Sequence, residues 1–415
     1  MSPSTQHLAR ALPARTFWAS MLLGASMTLL SFACGEDPSR GRPPLEPPPD
    51  ASPDASLPPP GVDTDGGVAD AREPYDGSAA SVECDAEPCV VALTAGREHY
   101  CALVAGGTVR CWGDPAMLGE KANIGVPVAV EGISAAASLH AGPDETCAVL
   151  VDGGLDCWGP RRRSIERVNE VKIAKRAVPG VDVSCAIDGD DALVCWGDSL
   201  DLGTGRRTIE IGGEKASRAS VAQAAAFVVS STGVLRSWGS DVRTLGRGTS
   251  TVDHTPDVVP GLLPVADVVA SPRHVCTLGT AGDVHCWGDG VLLGTGVIRR
   301  ELGPALVAFP SSAWPQQLSA SSSHSCARMT NGAVYCWGGN NELGELGQTR
   351  PIGVYVPTKV DALADVVSVA VGLRSSCALT KNGAVSCWGG NQQGQLGRGS
   401  SDHDRHPKPA PVVFE

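Results

Sequence analysis

From Val90 to the end of the chain, short apolar runs alternate with turn-rich polar segments. Val366-Val367-Ser368-Val369-Ala370-Val371 stops at Gly372, and Val90-Val91-Ala92-Leu93-Thr94-Ala95 stops at Gly96. Runs of this length bounded by glycine read as strands. Downstream of each lies a hairpin, clearest in Cys377-Ala-Leu-Thr-Lys-Asn-Gly-Ala-Val-Ser-Cys387. A three-residue loop with a left-handed glycine at its end, here Lys381-Asn382-Gly383, pairs Thr380 with Ala384 and sets Cys377 opposite Cys387. Thr330-Asn331-Gly332 does the same for Cys326 and Cys336. Upstream of the apolar runs, Pro-x-x-Val recurs at Pro127, Pro256, Pro304 and Pro357. Each unit thus offers about four short strands in roughly 50 residues, the content of a propeller blade. Such a sheet cannot bury both faces alone, so the units must stack around an axis. Pro411-Val412-Val413-Phe414 resembles the Pro-x-x-Val element without a following unit. We expect it to complete the blade opened by Val90–Ala95 and so close the ring, leaving no free sheet edge.

The repeat is marked by a Trp-Gly pair at Trp112, Trp158, Trp196, Trp238, Trp287, Trp337 and Trp388. Six of these tryptophans follow a cysteine, and in each case a second cysteine lies ten residues earlier. The pairs are Cys101 with Cys111, Cys147 with Cys157, Cys185 with Cys195, Cys276 with Cys286, Cys326 with Cys336 and Cys377 with Cys387. In the remaining copy both positions change together, to Phe227 and Ser237. Seven copies with both cysteines or neither are what one covalent bond per hairpin requires. Zinc is the competing reading, but this spacing is not that of zinc ligands and no consistent His or acidic residue completes a tetrahedral set. The fold predicted is an all-β, seven-bladed propeller over residues 90–415, with one hairpin disulfide in most blades.

Cys336-Trp-Gly-Gly-Asn-Asn-Glu-Leu-Gly-Glu-Leu-Gly347 and Cys387-Trp-Gly-Gly-Asn-Gln-Gln-Gly-Gln-Leu-Gly397 resemble the repeat of the regulator of chromosome condensation (RCC1) family, in its cysteine-bearing bacterial lipoprotein form. The likeness is fair at Trp112 and Trp287 and weak around Trp158 and Trp238. It implies a seven-bladed propeller. One eukaryotic member of the family exchanges guanine nucleotide on a small GTPase and binds chromatin, and a secreted bacterial relative inhibits β-lactamases.

Composition changes the picture of where such a propeller works. Fifty glycines and thirty-one prolines fit a turn-rich chain, and fifteen cysteines favour an oxidising compartment. His7, Arg10 and Arg15 precede an apolar run from Phe17 to Ala33, the layout of a signal peptide over residues 1–33. Cys34 follows at once and resembles the lipid-bearing cysteine of bacterial lipoproteins, although Ser31 and Phe32 depart from that pattern. Ordinary cleavage or an uncleaved anchor are the alternatives. Six hairpin pairs and a pair of Cys84 with Cys89 leave Cys34 alone, and a lipid would consume it. Residues 34–89 form a Pro/Asp-rich linker with thirteen acidic residues against three basic ones, a net of −10. Such a sequence lacks the apolar content for a core. The propeller itself carries a net of −4, which gives no footprint for nucleic acid.

Candidate chemistry is sparse. His99, His274 and His324 stand two residues before the first cysteine of their repeats, a phase that predicts a structural hydrogen bond within each blade. Asp188-Gly-Asp-Asp191 at a hairpin tip fits turn chemistry better than calcium. Arg161-Arg162-Arg163 reads as a solvated loop. Trp314, outside the repeat frame, is a candidate interface anchor. There is no phosphate loop and no nucleophile set apart with a base and an acid. We therefore expect no catalytic, cofactor or metal site. The expected molecule is monomeric, held to the bacterial envelope by its lipid alone or else secreted, and binds a protein or glycan rather than nucleic acid. An inhibitor of an extracellular enzyme is the alternative, and a nucleotide-exchange factor the second alternative.

Overall fold

The computed structural model describes residues 75, 80–84, 87–117, 125–162, 164–197, 206–248 and 251–414. The apolar segment Phe17–Ala33, Cys34 and Arg163 lie outside them. Among the described residues 28 strands form seven four-stranded antiparallel sheets, and no helix is long and apolar enough to cross a membrane. Every sheet is built from four strands consecutive in sequence. Blade 1 comprises Val90–Ala95, His99–Val104, Thr108–Gly113 and Val128–Ala129, ordered from the inner strand at the channel to the outer strand at the rim. Blade 7 repeats the plan with Val366–Val371, Ser375–Thr380, Val385–Asn391 and Asp402–Pro411.

This plan corrects the expected ring closure. The Pro-x-x-Val element is the outer strand of the blade before it, not the opening of the next. Val128 pairs with Cys111, and the Val130 amide donates to the Val109 carbonyl. Val259, Val307, Val360 and Val412 dock in the same way on the third strands of blades 4, 5, 6 and 7. The last copy of the element is therefore Pro409-Ala-Pro-Val412, two residues earlier than the sequence pattern was read. It completes blade 7 rather than blade 1. The reason is local: after Trp-Gly the chain turns back antiparallel beside the strand it has just left, and only then crosses to the axis.

The ring closes by side-chain packing. Val90, Leu93 and Trp112 of blade 1 share a core cluster with Leu379, Leu396 and Val412 of blade 7. Phe414 stands edge-on to Trp112 at 5.9 Å. The other apolar clusters follow the same rule, one in each cleft between neighbouring blades. Trp112, Trp238, Trp287, Trp337 and Trp388 are fully buried there. Each such side chain removes about 150–250 Å² from water, on the order of 4–6 kcal/mol of transfer free energy.

The cysteines of every hairpin face each other in the expected register, and all six pairs are disulfide-bonded. Cys101 is joined to Cys111 in blade 1, Cys147 to Cys157 in blade 2 and Cys185 to Cys195 in blade 3. Cys276 is joined to Cys286 in blade 5, Cys326 to Cys336 in blade 6 and Cys377 to Cys387 in blade 7. Their Cα atoms stand 4.0–4.2 Å apart. That approach is the one found at non-hydrogen-bonded pairs, where antiparallel strands come closest. Cys84 is bonded to Cys89. In blade 4, Phe227 still faces Ser237, but other forces replace the bond. The Phe227 ring packs against Trp287 at 6.3 Å, and the Ser237 hydroxyl donates to the Leu245 carbonyl at 2.7 Å.

Replacing Cys326 and Cys336 together by alanine is expected to lower stability by about 2–3 kcal/mol. A denaturant titration reads this as a lower midpoint.

Candidate functional site

The repeat-phase polar residues are placed by the second strand of each blade, two residues before the first cysteine, where they reach the neighbouring blade. The expected bonds within the blade are present for two of the histidines, the Ser271 and Ser323 hydroxyls meeting Nδ1 of His274 and His324 at 2.9 and 2.8 Å, and the other ring nitrogen adds a bond across the cleft. The His99 Nε2 lies 2.7 Å from the Thr146 hydroxyl, that of His274 2.6 Å from Ser325, and that of His324 2.7 Å from Ser376. The same position holds Glu145, which accepts from Ser184 at 2.8 Å, and Ser375, which meets the Tyr100 hydroxyl at 2.8 Å across the closing cleft. At the two remaining clefts the equivalent pairs are Val183 with Ala226 and Ala225 with Val275, all buried and apolar. Each interface is thus polar on both sides or apolar on both. A mixed pair would leave a buried donor or acceptor unpaired.

The tryptophans stitch the blades in the opposite direction. Trp112, Trp287, Trp337 and Trp388 donate their indole N–H to Gln395, Thr244, Leu292 and Glu345, each in the long loop between third and outer strands of the preceding blade. Burial holds the histidines neutral, with His99 lowered to about 4 and His274 and His324 to about 3. These residues are structural links between neighbouring blades.

What remains for function is the channel on the axis and the loops around its mouths. The seven inner strands are sheet edges, and on three of them side chains of the preceding blade cap free N–H groups. Thr94 accepts from Ala141, Ser220 from Ala270, Ser319 from Val371, and Gln317 Oε1 from Val369, at 2.9–3.0 Å. The channel encloses about 580 Å³, within the range of ligand cavities. At one level, each inner strand presents the residue opposite the second position beyond the first cysteine: Ala92, Ser138, Arg176, Arg218, Asp267, Gln317 and Ser368. Arg176, Asp267 and Gln317 line the cavity. Burial beside Arg176 and Arg218 lowers His140 to about 3, so it stays neutral.

One end of the channel bears the hairpin turns, the other the loops that join inner to second and third to outer strands. Tyr75 lies at the turn end. Its backbone N–H donates to Thr280, Arg218 hydrogen-bonds its phenol, and burial with the Asp267 charge raises its pKa. The Glu83 amide donates to Lys381 on the same face. The propeller's contacts therefore begin before Val90, inside the stretch assigned to the linker.

Trp314, on the connection from blade 5 to blade 6, is half-buried on the turn face; a Cβ built on Gly282 would sit 2.8 Å from its ring. The Asp188 carboxylate accepts from the amides of Asp190 and Ala192, an Asx turn, and Asp191 pairs with Lys175. On the loop face Arg161 pairs with Asp182 of the next blade at 2.8 Å, and Arg162 with Glu145 of its own blade at 2.6 Å. Glu145 lies near the sulfurs of Cys147 and Cys157, which are bonded to each other and hold no free thiolate for a metal. Sequence reasoning missed the charged level of the channel, because Arg176, Arg218 and Asp267 stand 42 and 49 residues apart in otherwise apolar runs.

Models of the regulator of chromosome condensation (RCC1) repeat match residues 90–116, 316–344, 331–379 and 366–395. These segments carry the RCC1 repeat, and the seven blades share its strand plan. The chain is an RCC1-like repeat propeller. This RCC1-type propeller is 34% identical over 190 residues to the human E3 ubiquitin-protein ligase HERC2; the match covers 44% of the chain and 4% of that protein. Among solved structures it is similar to Prp20p of Saccharomyces cerevisiae, described with its binding to Gsp1p and histones, at TM-score 0.65 and 17% identity over 78% of this chain and 87% of that one. Human WBSCR16 superposes at TM-score 0.61 and 16% identity, covering 72% and 88%. At these identities the structural likeness is one of fold.

The paired clefts give two expected outcomes. His99→Val leaves the Thr146 hydroxyl buried and unpaired, at about 1–3 kcal/mol. The double variant with Thr146→Val costs less than the sum of the single changes, as a double-mutant cycle in denaturant measures. The buried histidines have folded-state values below their unfolded value near 6.5, so they contribute stability fully above about pH 6.5. That contribution is lost as pH falls toward 4 for His99 and toward 3 for His274 and His324. Unfolding midpoints at pH 7 and 4.5 should differ less in His99→Val than in the parent.

Proposed function

We propose that this protein is a non-catalytic binding scaffold, exported from the cytoplasm and tethered to the cell envelope through Cys34, whose loop face engages a protein or glycan. The observation that carries the reading is the fate of the repeat-phase chemistry. Cysteine is spent on stapling each hairpin, and histidine and tryptophan on linking neighbouring blades, while the segments between third and outer strands collect on one face and differ in length and sequence from blade to blade. That is the division of labour of a rigid frame with recognition loops. Six hairpin disulfides support an oxidising compartment, and the arrangement of His7, Arg10, Arg15, the apolar run and Cys34 supports the anchor.

On the loop face Ile298 and Ile352 are 65% and 60% exposed, with Val297 beside them. Exposed aliphatic side chains grouped on one rim fit a partner surface better than solvent. Val151, 77% exposed, marks the opposite, turn face, which also carries Trp314.

Two measurements test the proposal. Intact mass of the non-reduced protein from its own cells should show a chain beginning at acylated Cys34; a retained Met1 with free thiols would remove both anchor and compartment, and reopen the nucleotide-exchange reading. A photo-crosslinking residue placed at Ile298 should capture a discrete adduct in those cells, while one at Val151 should not. Adducts at Val151 alone would move the binding role to the face of Trp314.

A further inference from the structure

The charged level of the channel has a chemistry that neither the blade links nor the loop face uses. Three neighbouring inner strands contribute Arg176, Arg218 and Asp267 at equivalent register positions. The register shift beside each of these positions recurs in all seven inner strands. Arg218 donates to the Ser217 carbonyl at 2.9 Å and to the Tyr75 phenol, and Asp267 accepts from the Val268 amide at 2.9 Å. The Arg176 guanidinium makes no hydrogen bond or ion pair with any described residue. It faces the cavity, feels Asp267 and Arg218 as neighbouring charges, and burial lowers its pKa. With His140 neutral, two guanidiniums face one carboxylate, and the cluster carries a net charge of about +1. Half-buried and open to the cavity, the Arg176 guanidinium presents a planar fork of N–H donors to an occupant.

We propose that the channel is a binding site for a small organic monocarboxylate, which enters from the loop face and takes its place on Arg176, with Arg218 beside it. The class follows from the partners. One negative charge neutralises the cluster, and a planar carboxylate matches the guanidinium fork with two parallel hydrogen bonds. Val178 and Val269 line the same cavity and give an apolar body somewhere to lie, while Thr94, Ser220 and Ser319 already have their hydroxyls engaged by the next blade. Tyr75 stands at the turn end of this level, with its amide tied to Thr280 and its phenol near Arg218. The charged residues of the site, Arg176, Arg218 and Asp267, lie on inner strands, while loop residues such as Arg97, Gln223 and Arg273 line the same cavity.

Calorimetric titration of the full-length protein with benzoate, and with benzamide as its neutral isostere, tests the proposal. Benzoate should bind at least tenfold more tightly than benzamide, and Arg176→Gln should bring the two together. Asp267→Asn removes the competing carboxylate and should strengthen benzoate binding severalfold, and it decides the matter if Arg176→Gln fails to fold by its thermal midpoint. Equal binding of benzoate and benzamide would overturn the site, as would benzoate binding indifferent to both substitutions. Inorganic phosphate binding as tightly as benzoate would overturn the carboxylate assignment.

Discussion

A four-stranded sheet of this width is apolar on both faces, and everything in the molecule depends on covering each face with a neighbour. The core is accordingly not one cluster but a series of them, each shared by two blades. Burial supplies the attraction, while polar groups inside the clefts set the register. The paired positions make this concrete: His99 with Thr146 and His324 with Ser376 are polar on both sides, Ala225 and Val275 apolar on both. Changing one partner alone leaves an orphan in a dry cleft, so neighbouring blades constrain each other's sequences.

The same constraint explains how the ring closes. Many contacts of a repeat array are satisfied locally, but the first and last units need each other. Here the join is made by ordinary blade contacts: Trp112 donates to Gln395, Tyr100 meets Ser375, and Phe414 lies against Trp112. No strand is exchanged. The disulfides act at another level, within single hairpins such as Cys185 to Cys195 and Cys276 to Cys286, and do not link one blade to the next. Blade 4 shows that a hairpin holds without one when Phe227 fills the space. Closure thus rests on packing and hydrogen bonds, while the covalent bonds firm up each unit.

Stacking seven inner strands around an axis also creates sheet edges that face a shared space. Thr94, Ser220, Ser319 and Gln317 cap these edges from one blade to the next. Arg176, Arg218 and Asp267 occupy neighbouring places without serving that purpose, which sets their part of the channel apart from the frame. The loops on one face and the charged level inside are separate resources on one rigid support, and the propeller fold by itself prescribes the use of neither.

The period of Trp-Gly, the glycine-closed hairpins and the paired loss of Cys at Phe227 and Ser237 determined the blade count, the all-β class and every hairpin disulfide. These are local signals, carried by residues within about ten positions of each other. The sequence also marked His99, His274 and His324 as structural, but not their bonds across the clefts, because a partner some 50 residues away has no trace in spacing alone. Tertiary structure alone decided that Pro409-Ala-Pro-Val412 ends blade 7, since an outer strand and an opening strand look alike until their hydrogen bonds are assigned. It alone gathered Arg176, Arg218 and Asp267 at one level of the channel. A single polar residue in an apolar run reads as an exposed position. Only the closing of the ring turns seven such positions toward a common axis, where burial makes their charges felt.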